Sequence, residues 1–257
     1  MEQLPPLLFL PPHIAPLCLP APMPILSPEE EAALALETEK RYREAVKTAK
    51  ALAVRDPAKQ FDYAAACDTL AAFCYNSGQL AEAERLYCDA LDIYRALAKT
   101  KPITFGPYVA RTCRRLGRIL SGSDRLPSAE WFYRDALQTW RKLSDRGADI
   151  QTVELAALCH DLAVLLTDSG RTPETERFFR IAVNTRRGLA RLDPASHTAD
   201  LAETCFYYGI FALHEKANRT ESKALFQEAL KLYECDPHCA DDADRVRKVM
   251  DKYFPEE

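Results

Sequence analysis

Ala64-Ala65-Ala66-Cys67-Asp68-Thr69-Leu70-Ala71 decides the fold, because the chain copies it on a fixed step. At a spacing of 46 residues the same columns return as Ala110, Cys113, Leu116 and Gly117, then Ala156, Cys159, Leu162 and Ala163, then Ala202, Cys205, Tyr208 and Gly209. Four columns sharing one period describe a single supersecondary unit repeated along the chain, and periods of about 20–50 residues belong to solenoids and arrays. Within each copy the recurring residues stand at i, i+3, i+6 and i+7, which is one face of a helix with 3.6 residues per turn. An array of this kind offers binding surfaces rather than a catalytic cleft.

Outward from that stripe, each unit continues in the same order. A short turn follows: Asn76-Ser77-Gly78, Ser121-Gly122-Ser123, Asp168-Ser169-Gly170 and, one residue longer, Glu215 to Asn218. A second helical stripe comes next, reading Ala83, Tyr87, Ala90, then Ala129, Tyr133, Ala136, then Thr175, Phe179, Ala182, then Ser222, Phe226, Ala229. The links Arg55-Asp56-Pro57, Thr100-Lys101-Pro102, Asp145-Arg146-Gly147 and Leu192-Asp193-Pro194 act as stops, since proline cannot continue the helix before it. Upstream, Ser27-Pro28-Glu29-Glu30 supplies an N-cap, a first-turn proline and acids at the positive end of a helix dipole. The spacing predicts one long helix from there to Asp56, with Leu34, Thr38, Tyr42, Ala45 and Ala49 as its packed stripe. Downstream, Ala240 to Phe254 predicts a last helix with Val246, Val249, Met250 and Tyr253 on one side, covering the final repeat.

The pattern resembles the tetratricopeptide repeat, in which a Leu and a small residue on the first helix precede a turn Gly and an Ala–aromatic–Ala series on the second. Here these are Leu70-Ala71, Gly78, Ala83, Tyr87 and Ala90; Leu116-Gly117, Ala129, Tyr133 and Ala136; and Leu162-Ala163, Gly170, Phe179 and Ala182. The resemblance covers about residues 59–235, and the unit is longer than the 34 residues usual for the family. Its layout is similar to the kinesin light chain type and to bacterial arrays with Asp-Pro links. Thr175 and Ser222 depart from the usual Ala, and Asp124 from the usual turn Gly, which predicts weaker local packing. The resemblance implies an all-α, right-handed superhelix of about four hairpins, whose first helices line a concave groove that binds peptides or protein surfaces. The expected division is a Pro-rich tail over 1–27, a helix or partial repeat over 28–56, four hairpins over 57–236 and a capping helix over 237–257.

Composition narrows the function classes. The 257 residues are 47% apolar and 28% charged, with a net charge of −4, so neither general adhesion to nucleic acid nor attraction to an anionic membrane is expected. Nine cysteines form no disulfide framework; the periodic four read as core residues of a protein in the reducing cytoplasm. Nine of the 17 prolines lie between Pro5 and Pro28, in a segment too interrupted to span a bilayer and without the basic start of a signal peptide. That segment reads as a disordered or polyproline tail, or as sequence upstream of a true start at Met23.

Chemistry concentrates in Arg111, Arg114, Arg115 and Arg118. With Cys113 at the centre of the packed stripe and 100° per residue, the four guanidiniums fall roughly opposite the core. The resemblance places that side on the groove, where planar forks suit a carboxylate or phosphate of an acidic or phosphorylated segment. The competing reading is a charge ladder in which Asp68 or Asp161 neutralises Arg114 across neighbouring repeats. The remaining groove candidates are Asp68, Tyr75, Asn76 and His160, with Phe206, Tyr207 and Ile210 as an apolar end or as residues covered by the last helix. The family's Lys and Asn clamp for a terminal carboxylate is not reproduced. Cys235, His238 and Cys239 bring three metal-type donors to one bend, short of the four of a structural zinc site. No phosphate loop, nucleophile elbow or HExxH motif is present, so no enzyme, cofactor or resident metal is expected. The sequence therefore predicts an interaction scaffold for a protein or peptide partner, the alternative being a metal- or redox-responsive regulator working through Cys235, His238 and Cys239.

Overall fold

The protein is described by a computed structural model over residues 27–147, 152–167, 169–215 and 218–255. Residues 1–26 of the Pro-rich tail predicted over 1–27, with the alternative start at Met23, lie outside the described residues, as do Asp168 of the third turn and Lys216 and Ala217 of the fourth. The described residues form helices α1 (Pro28–Arg55), α2 (Gln60–Asn76), α3 (Leu80–Thr100), α4 (Pro102–Gly122), α5 (Leu126–Ser144), α6 (Thr152–Leu166), α7 (Thr172–Leu192), α8 (Pro194–His214), α9 (Arg219–Glu234) and α10 (Ala240–Tyr253). Short 3-10 turns at Pro57–Lys59 and Pro237–Cys239 complete them, and no strand occurs among the described residues. The chain divides into two compact units, Met1–Asp149 and Ile150–Glu257. In the first, α1 packs on α2, and α2/α3 and α4/α5 form hairpins joined through α3 and α4. In the second, α6/α7 and α8/α9 form hairpins joined through α7 and α8, and α10 lies on α9.

Local chemistry explains the boundaries. Ser27 caps α1 in a reciprocal box: its hydroxyl accepts from the Glu30 amide at 3.3 Å, and its amide donates to Glu30 Oε2 at 2.8 Å. Asp193 and Asn218 cap α8 and α9 by accepting from Ser196 and Glu221 amides at 3.3 and 3.1 Å. Pro102 and Pro194 stop one helix and open the next, because a first-turn proline lacks only an N–H that has no partner there. Three turns need a left-handed residue; Gly78 and Gly170 supply it with φ of 76° and 72°, and Asp124 takes φ of 58° in the α4/α5 hairpin.

The repeated columns form the core. Ala64, Cys67, Leu70 and Ala71, with their counterparts in the other three units, are buried. So are all twelve residues of the second stripe, from Ala83 to Ala229. Complete burial of residues such as Leu116 and Phe179 contributes about 1.5–3 kcal/mol each. Thr175 and Ser222 keep their hydroxyls satisfied inside this core: Thr175 Oγ1 donates to Arg171 O at 3.1 Å, and Ser222 Oγ donates to Gly209 O at 2.9 Å. The polar departures from Ala thus leave no buried hydroxyl without a partner.

One expectation fails. In α1 the packed face is Thr38, Tyr42, Val46, Ala49 and Ala53, with Tyr42 edge-on to Phe73 at 5.8 Å, whereas Leu34 and Ala45 are exposed. A helix meeting a neighbour on one side only buries a narrower stripe than one held between two.

Candidate peptide-binding site

Within the first unit, α2 and α4 each bury a Cys–Leu stripe and turn another face outward. Asp68 and Tyr75 on α2 are half-buried and Asn76 at its end is exposed; Arg111, Arg114, Arg115 and Arg118 on α4 are all half-buried. Arg115 Nη1 donates to Asp68 Oδ2 at 2.5 Å, a charge-assisted bond between the two helices. The Arg115 guanidinium also lies 5.6 Å from the Tyr87 ring centre, Arg118 lies 5.5 Å from Tyr75, and Arg111 lies 5.7 Å from Tyr108. Beyond Tyr108 the face continues into Phe61, whose ring stands 5.2 Å from it, and Phe105. The tie from Asp68 thus reaches Arg115, one residue beyond the position the charge-ladder reading assigned to it.

In the second unit, His160 on α6 is buried at 5% exposure, its ring edge-on to Tyr207 at 5.6 Å and its Nε2 3.8 Å from Glu203 Oε2. Tyr207 and Ile210 on α8 are half-buried. Phe206 is not an open groove position: it is 7% exposed, packed on Phe226 at 5.8 Å and covered by the Arg245 guanidinium of α10 at 4.5 Å. Burial raises the Tyr207 hydroxyl above its ordinary value, so the phenol stays neutral at physiological pH.

Other cation and thiol positions were not visible in the periodic stripes. Second helices in the same unit are tied by Arg–carboxylate pairs: Arg43 donates to Glu82 at 2.7 and 2.8 Å, Arg95 to Asp135 at 2.6 Å, and Arg187 to Glu228 at 2.9 Å. Each acid follows its arginine by 39–41 residues, a signal present in the sequence but shorter than the 46-residue step. The Cys113 thiol donates to Asp135 at 3.4 Å, adding to the pair with Arg95. Burial pushes the Cys159 and Cys205 thiols up to about 12, and Cys113 higher still, so these thiols are inert as nucleophiles. Arg186 stands where Tyr94 and Trp140 stand in the earlier units; buried at 5% exposure, it donates to the Asp200 carbonyl at 2.7 Å and to Thr204 Oγ1.

Cys235, His238 and Cys239 do not converge. Cys235 Sγ points to Lys231 O at 3.2 Å, Cys239 Sγ lies 3.8 Å from Asp236 Oδ2, and His238 sits exposed in the 3-10 turn that Asp236 caps. No group of three His, Cys, Asp or Glu side chains arranged to hold a metal ion occurs among the described residues.

A tetratricopeptide repeat family model matches residues 64–101, the α2/α3 hairpin and the link after it. That hairpin is a tetratricopeptide repeat. Among solved structures, its fold is similar to BtubC (BKLC) from P. vanneervenii, with a TM-score of 0.61 and 20% identity over 87% of this chain and 94% of that one. It is also similar to a kinesin light chain protein of Podosopora anserina with nearly identical TPR-like repeats, with a TM-score of 0.50 and 14% identity over 79% and 93% of the two chains. No curated protein matches. Tetratricopeptide repeats are generally non-enzymatic scaffolds for protein–protein interaction, and no described helix of this protein is long and apolar enough to cross a membrane.

Proposed function

We propose that this tetratricopeptide-repeat protein is a cytoplasmic scaffold that holds a peptide or helix of a protein partner on its first-helix faces. In the first unit the α2/α4 face takes an acidic or phosphorylated segment. The observation that carries this reading is the setting of Arg111, Arg115 and Arg118 on α4. Arg111 and Arg118 lie on the Tyr108 and Tyr75 rings, and Asp68 holds Arg115. A guanidinium held against an aromatic face is oriented and partly dehydrated before it meets a ligand, so less side-chain freedom is lost when its fork grips a carboxylate or phosphate. In the second unit Tyr207 and Ile210 offer a smaller apolar contact beside the covered Phe206. The cytoplasm fits thiols spaced and buried as core residues.

Fluorescence anisotropy with labelled acidic and phosphorylated peptides tests the reading. Arg114→Glu and Arg118→Glu, separately, weaken binding at least about tenfold while helix content is unchanged. Binding equal to the parent in both variants overturns the assignment of the acidic segment to this face.

A further inference from the structure

Helix α1 has the place of a second helix in an incomplete repeat. Aligned on their buried aromatic column, Tyr42 with Tyr87, α1 and α3 differ in one stripe. Leu86 and Ala90 of α3 are buried, whereas the corresponding Arg41 and Ala45 of α1 are exposed, as are Leu34 and Leu52 at 53% and 47%. At 100° per residue Leu34, Arg41, Ala45 and Leu52 share an arc of about 40°. In α3 a preceding helix, α2, packs against it; among the described residues none precedes α1. A face built for a neighbouring helix therefore lies bare.

The charge along α1 says what fits it. From Glu29 to Glu39 the helix has five acids and no base; from Lys40 to Arg55 it has six bases and one acid, Glu44. A helix acidic in one half and basic in the other is complementary to itself when reversed. Placing Leu34 of one α1 against Leu52 of a second, about 27 Å away along the same helix, brings Glu30 beside Arg55 and Arg41 beside Glu44 along one edge. Both pairs then recur by symmetry, as an isologous interface requires. Residues 1–26 hold one formal charge, Glu2, and nothing to match either half.

We propose that the bare stripe of α1 pairs antiparallel with α1 of a second copy of this chain, forming a two-fold dimer. The contact, two leucines per helix and a charged rim, is at the small end of stable interfaces, so association is concentration-dependent. Light scattering of the full chain, from low to several hundred micromolar, shows a shift from monomer to dimer. Leu52→Asp raises the dissociation constant at least about tenfold, because it sets a charge against Leu34 of the second copy at both apolar contacts of the pair. Arg41→Glu and Glu44→Arg each weaken the dimer by setting like charges together, and the double variant restores it, with circular dichroism unchanged throughout. A chain that stays monomeric over the range overturns the proposal, whether residues 1–26 or another protein covers the stripe. A dimer indifferent to Leu52→Asp and to the charge swap overturns it equally.

Discussion

Replacing Gly117 by alanine tests the closest packing against a glycine among the described residues. A Cβ at Gly117 meets Tyr133 Cε1 at 2.4 Å and Cδ1 at 2.6 Å, where ordinary contact begins near 3.5 Å. Tyr133 is 2% exposed and lies in the second-helix stripe, so its ring has to retreat by about 1 Å into packed neighbours. Overpacking of this kind costs about 1–3 kcal/mol. Against it stands the helix preference of Ala over Gly, about 1 kcal/mol. The net expectation is a loss of about 1 kcal/mol, or 2–4 °C in melting temperature for a chain of this size. Gly188 in α7 is the matched control: it is exposed, a Cβ there meets nothing within 4 Å, and Gly188→Ala gains the helix term alone. Thermal unfolding followed by circular dichroism should therefore move in opposite directions for the two variants. A Gly117→Ala protein as stable as Gly188→Ala would refute the reasoning, since the helix term would then act without the steric one.

Two further outcomes follow from single contacts. Arg43 bonds to Glu82 and holds its carboxyl below the ordinary value, so this link is present above the unfolded carboxylate pKa of about 4.3 and is lost as pH falls through the lower folded value. Hydrogen exchange of α1 should accelerate in that acid range before the α4/α5 hairpin responds, and Glu82→Gln should give the same loosening at neutral pH; an α1 indifferent to both removes the pair from its attachment. Asp124 takes a left-handed φ of 58° at the turn where the first and third repeats have glycine, so Asp124→Gly should raise the urea midpoint by up to about 1 kcal/mol in stability, while Gly78→Ala, at φ of 76°, should lower it; equal effects of the two changes would count against strain at these turns.

Particular residues show how far the sequence could be read. The burial of Cys67, Cys113, Cys159 and Cys205 was legible because each faces the same intra-unit neighbours four times over. Tyr42 was legible from helical spacing within α1, and Leu34 on the same stripe was not, because among the described residues α1 packs on α2 and no helix covers its Leu34 side. The arginines of α4 could be placed away from the core by the helical wheel alone, but their stacking on Tyr75, Tyr87 and Tyr108 could not. For Phe206 the sequence left open an exposed groove end or cover by the last helix, because the stripe it departs from marks only the contacts within a repeat; the Arg245 that covers it comes from α10.

The periodic columns, the caps and the turn residues were therefore determined by the amino-acid order itself, since helix formation and hairpin packing depend on neighbours fewer than 46 residues apart that recur in every copy. What the order left open was decided by packing of helices that are not identical from one repeat to the next. A Tyr133 ring against Gly117 within one hairpin, an Arg186 in an aromatic's place and an exposed side on α1 each follow from which particular side chains stand next. Dense interiors respond to differences of a single methyl group, and a repeat pattern averages those differences away.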